Sequence, residues 1–182
     1  MNGADHPSPI PGGMSLWTFA VDLYAAPGVA DACLGLQDRH GCDVNVLLFA
    51  AWMGAVRHHA VAPADMVEAA ASVHDWHAGI VRPLRGVRRR LKSGPLPAPD
   101  GASEALRTRI KAIEIEAERI ELATLETLAA KWHVRDVERG GATLENLEIA
   151  VRHFTGGEPL HEALELIRAI EKGVAAGMVR KP

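Results

Sequence analysis

The stretch DVNVLLFAAWMGAV, residues 43–56, constrains this chain more than any other. Val44, Val46, Leu47, Leu48, Phe49, Trp52 and Met53 leave no polar face at helical spacing. A helix that is apolar all round is stable only when other elements cover it on every side. It is too short to span a bilayer, which takes roughly 20 apolar residues. The expectation is a central helix over about 44–59, wrapped by others, that leaves the core at Arg57-His58-His59.

The flanking sequence supplies the wrapping. Ser15 reads as an N-cap before Leu16, Phe19, Ala20 and Leu23, and Pro27-Gly28 opens a second helix with Val29, Ala32, Cys33 and Leu36 inward. Gly41 suits a left-handed helix end and Asp43 an N-cap, so CLGLQDRHGCDVN turns a corner between helices two and three. A long helix follows over about 64–92, with Pro83 expected to kink or divide it. SGPLPAPDG (93–101) is a loop, and a helix over about 103–132 starts from Ser103 as cap. Its inner stripe is expected to be Leu106, Ile110, Ile113, Ala117 and Ile120, then Leu122, Leu125, Leu128 and Trp132. After a break at Gly140-Gly141, helices over about 144–154 and 158–173 form a C-terminal hairpin. Aromatic residues are 4% of the chain and no β-branched alternation occurs, so no strand is expected. The reading is all-α: a compact bundle of about five helices over 15–139, containing one long antiparallel hairpin, with a flexible tail at 1–14 and a helical hairpin extension at 140–182.

Charge is distributed unevenly. Residues 82–111 carry nine Lys/Arg and two acids, a net of +7 in a chain of net charge −3, which leaves −10 elsewhere. Two helices joined by a short loop pack antiparallel, so the positives of both gather at one end. That end should attract anions. Arginine predominates there, which suits bidentate contact with phosphate or carboxylate. The favoured partner is an anionic small molecule or an acidic protein surface. Nucleic acid is less favoured, because no aromatics interleave with the arginines.

Other chemistries find less support. Cys33 and Cys42 give neither a disulfide framework nor zinc-finger spacing. Cys33 lies two helical turns from His40, about 10 Å by helix rise and beyond hydrogen-bond reach. No nucleophile elbow or Gly-rich phosphate loop is present. A metal set of His74, His77 and Glu118 is a minor alternative, since the two histidines share a helix face opposite Glu114, Glu118 and Glu121. The polar, Pro/Gly-rich start and the lack of a spanning segment point to a cytoplasmic protein.

The segments LYAAPGVADACLGLQDRHGCDVN (23–45) and VRPLR (81–85) carry a resemblance. The chain resembles a proteobacterial family of short, all-helical proteins catalogued as a domain of unknown function, over roughly residues 15–128. Matching positions are Trp17, Tyr24, Pro27, Gly28, Val29, Cys33, Leu36, Gln37, Asp38, Gly41, Asp43, Val44, Asn45, Trp52, Pro83, Leu84 and Arg85. The resemblance brings no established activity, cofactor or partner. It implies that the opening stretch and the VRPLR segment belong to one shared surface or core.

The candidate site therefore joins the corner residues Gln37, Asp38, His40 and Asn45 to Arg82, Arg85, Arg88 and Arg89. A non-enzymatic binding or adaptor module is the leading expectation. An enzyme acting on an anionic small molecule is the alternative, with His40, His77 or Asp38 as acid/base and Arg82 and Arg85 as the clamp; its catalytic residues and any cofactor are undefined by sequence. The apolar stripes of the later helices leave room for a homo-oligomer.

Overall fold

The computed structural model describes residues 13–132 and 141–179. Its elements are α1 (Leu16–Tyr24), α2 (Val29–His40), α3 (Val44–Ala55), α4 (Pro63–Trp76), a π-helical turn (His77–Val81), α5 (Arg82–Ser93), α6 (Gly101–Ala129), α7 (Thr143–Thr155) and α8 (His161–Val179). The π turn joins α4 to α5 without a break, so the described residues form seven continuous helices and no strand. The fold is all-α, with more helices than the five expected. Most of the 1–14 tail, and Gly140 of the expected break, lie outside the described residues. Met14 is an exception: its carbonyl accepts a 2.9 Å hydrogen bond from Trp52 Nε1.

Every residue of α3 is buried. α1, α2, α6, α7 and α8 all pack against it, as its all-round apolarity requires. Phe49 stacks edge-on against Trp132 at 5.7 Å. The helix ends at Ala55 rather than near 59, and His58 takes a positive φ of 51° beyond it. The expected corner forms: Gly41 caps α2 at φ 68°, and Asp43 caps α3 by accepting the Asn45 N–H at 2.9 Å.

The helices of 140–182 contribute Leu147, Ala150, Val151, Ile167 and Ile170 to the same core as α3. Gly54 allows this: a Cβ there would lie 2.6 Å from the Thr143 backbone, so α3 and α7 touch along bare main chain. Asn146, fully buried, donates to the carbonyls of Ala50 and His59 and accepts from the Val61 N–H.

Two expectations are corrected in the long hairpin. Pro83 does not divide the helix, which runs unbroken from Pro63 to Ser93. Proline lacks an N–H and clashes with the preceding turn, and here the preceding turn is widened, with the Arg82 N–H donating to the carbonyl of His77 five residues back. In α6, Leu106, Ile113 and Ile120 are exposed, while Glu114, Ala117, Glu121, Leu122 and Leu125 are buried. The inner face of its first half is polar because the arginines of α5 lie against it. Asp100, not Ser103, is the N-cap, in a reciprocal box with Ser103.

Candidate functional site

A cleft of about 840 Å³ opens between the 37–43 corner and the continuous helix of α4, π turn and α5, with His153 and Phe154 of α7 at its edge. Gln37, Asp38 and Asp43 line it from the corner, and His74, Asp75, His77, Arg82, Arg85 and Arg89 from the long helix. The corner and the basic segment thus form one surface.

The contacts between them are direct. Arg85 donates to the Gln37 side-chain carbonyl. Arg89 pairs with Asp38 at 3.1 Å. The Arg89 hydrogen bond, then that from Gln37, holds the Asp38 carboxyl below its usual range. His40 and Asn45 do not join this set: His40 Nε2 and Asn45 Nδ2 are buried without a hydrogen-bond partner among the described residues.

Behind the cleft wall stands an arginine–carboxylate ladder. Arg85 contacts Glu114 at 3.1 Å and Glu118 at 2.6 Å, and Arg88 contacts Glu114 at 2.5 Å. Burial opposes ionisation of Glu114, but the Arg88 and Arg85 hydrogen bonds outweigh it and keep its pKa low. The expectation of little neutralising acid is therefore corrected for Arg85, Arg88 and Arg89. α6 turns Glu114, Glu118 and Glu121 inward, and Arg85, Arg88 and Arg89 are internally paired. Arg82 lines the cleft and has no acidic partner among the described residues. Further along the hairpin, Arg90, Lys92, Arg109 and Lys111 are exposed and likewise unpaired among the described residues.

The cleft floor carries a second polar group. His77 Nδ1 lies 2.9 Å from Asp43 Oδ2 and 3.3 Å from Glu121 Oε1. Burial would lower the His77 pKa, but hydrogen bonds to and the charges of both carboxylates raise it to about 9. Asp43 stays low despite burial through its His77 contact, whereas burial pushes Glu121 up to about 7. The proposed metal set of His74, His77 and Glu118 is not brought together: Glu118 faces Arg85, and His74 lines the cleft apart from the trio. Sequence reasoning assigned Asp43 only to the helix cap. The i, i+7 spacing of Glu114 and Glu121 opposite His77 was the available signal. Cys33 and Cys42 are buried, and burial pushes both thiols up to about 12, so neither is a ready nucleophile.

No described helix is long and apolar enough to cross a membrane alone. Neither a curated protein nor a solved structure matched the chain. One family profile did, described as protein of unknown function (DUF2390), over residues 15–125. That span holds the corner, the arginine–carboxylate ladder and the Asp43–His77–Glu121 group, and the chain belongs to this family.

Proposed function

We propose that this protein is a cytoplasmic, non-enzymatic binding module whose basic hairpin end docks an acidic protein surface. One observation carries the reading: Arg90, Lys92, Arg109 and Lys111 are exposed and unpaired among the described residues, while the arginines nearer the core are held by Asp38, Glu114 and Glu118. Free cations spread over the end of a hairpin suit an extended acidic surface better than a compact anion. The internal pairs fix the shape of the hairpin, and the unpaired charges are left for a partner and for steering its approach.

The test is fluorescence anisotropy with a labelled oligoglutamate peptide. Reversing Arg90, Lys92, Arg109 and Lys111 to Glu should weaken binding by more than about tenfold, and wild-type affinity should fall between about 0.05 and 0.2 M salt as screening increases. Equal binding by the variant, or none by the wild type, overturns the reading.

A second reading, an enzyme acting on an anionic small molecule, is favoured by Arg82 lining the same cleft as His77. Pyrophosphate is its probe. Pyrophosphate binding lost on Arg82→Ala, with no oligoglutamate binding at the hairpin end, would favour it over the first.

A further inference from the structure

Asp43, His77 and Glu121 come from three separate elements: the cap of α3, the first residue of the π turn and the middle of α6. Each brings one ligand-type atom to within 4.8 Å of the others. Both carboxylates address the same nitrogen, His77 Nδ1, at 2.9 and 3.3 Å. One ring nitrogen has one proton to donate, so two carboxylates compete for it. The shortfall shows at Glu121, which is 1% exposed and whose second oxygen, Oε2, is buried with no hydrogen-bond partner among the described residues. A buried carboxylate oxygen left without a partner is costly unless a cation or donor meets it.

The 2.9 and 3.3 Å separations at His77 are close to those of atoms around an ion. With metal–ligand bonds of about 2.0–2.2 Å, neighbouring ligand atoms in tetrahedral or octahedral geometry sit roughly 3.0–3.5 Å apart. Asp43 is positioned for this from outside the trio, because its Oδ1 accepts the Asn45 N–H and its Oδ2 is the oxygen that faces His77. We propose that Asp43, His77 and Glu121 bind a divalent first-row transition-metal ion at the floor of the cleft. One imidazole and two carboxylates form a mixed nitrogen–oxygen donor set, which suits zinc or manganese better than calcium or magnesium, whose ligands are all oxygen. Asp43 and His77 line the cleft, so a coordination position is left open to water or to a ligand entering it. The site does not depend on the adaptor reading, since the basic hairpin end acts with or without an ion here.

The test uses the full-length untagged chain, stripped with a chelator and dialysed against Zn(II) and, separately, Mn(II), with bound metal counted by mass spectrometry. Co(II) substitution gives a visible ligand-field spectrum as a second readout. The expected result is about one ion per chain and a Co(II) spectrum, with affinity weakened by about 100-fold or more in Glu121→Gln and His77→Gln but unchanged in His74→Gln. Glu121→Gln keeps the side-chain shape, so it decides the matter if His77→Gln does not fold. Wild-type loading of only a small fraction of an ion per chain overturns the proposal. So does a Glu121→Gln variant that loads like the wild type, or binding that vanishes in His74→Gln. Peptide binding at the hairpin end is measured separately, so either reading can fail alone.

Discussion

Arg85 and Gln37 lie 48 positions apart and are hydrogen-bonded side chain to side chain. Through this contact the corner between α2 and α3 is tied to α5, and through Glu114 and Glu118 the same guanidinium ties α5 to α6. Arg85→Ala would leave Glu118 without its arginine and Glu114 with only Arg88. Breaking a buried pair by removing one partner costs several kcal/mol, and the half-buried position of Glu118 reduces that, so a loss of roughly 2–3 kcal/mol is expected. Urea denaturation measures it; a change below about 0.5 kcal/mol would mean that the ladder is ornamental.

Glu114 sets an acid dependence. Its folded pKa lies below the ordinary glutamate value of 4.5. A depressed carboxylate contributes stability that is fully present above the unfolded pKa and is lost as pH falls through the folded one. Asp38, held low by Arg89, acts in the same direction from the surface. Urea midpoints should therefore drop as pH is lowered from about 5 towards 3, and Glu114→Gln should flatten that slope. Parallel slopes in the two proteins would contradict the assignment.

Gly54→Ala should be disproportionately damaging for a single methyl. The added Cβ meets the Thr143 main chain at 2.6 Å, and main chain cannot swing aside as a long side chain can. Overpacking of this kind costs roughly 1–3 kcal/mol. A thermal melt should show the loss, and a Gly79→Ala control, where a Cβ would meet nothing within 4 Å, should show no comparable clash.

Asn146→Leu removes three hydrogen bonds at once, to Ala50, His59 and Val61. Each buried backbone group left alone costs about 1–3 kcal/mol, so a loss of at least roughly 3 kcal/mol is expected. Truncation after residue 132 should do worse, because it uncovers α3 where Leu147, Ala150 and Val151 pack. Size-exclusion chromatography of the truncated chain should show aggregation; a monodisperse, cooperatively melting fragment would contradict this, although the family match itself stops at 125.

What sequence could reveal divides along physical lines. Local signals were legible: Ser15, Gly41 and Asp43 cap where their chemistry suits them, and the apolar run of α3 announced its own burial. The meeting of the corner with the basic segment was also anticipated. The inner face of α6 was not, because apolar periodicity points to Leu106, Ile113 and Ile120, and only the arginines facing it from α5 explain why glutamates turn inward. Glu114 and Glu118 are met there by Arg85 and Arg88, a pairing that no local propensity signals. Asp43 shows the same limit: one carboxylate caps a helix with one oxygen and faces His77 with the other, and only the first role has a sequence signature.

The wide turn before Pro83 also governs which changes in length this chain can absorb. Each α-helical residue advances the helix by about 100°, so an extra residue accommodated within a turn resets the phase of everything after it. Without it, a 31-residue helix (63–93) would precess off its neighbour, carrying Arg85 and Arg88 away from Glu114. Deleting one residue between 77 and 81 would leave composition, charge and hydropathy almost untouched, yet it would turn the downstream half of the helix to the wrong azimuth. Spacing, more than residue identity, is what this segment must inherit intact.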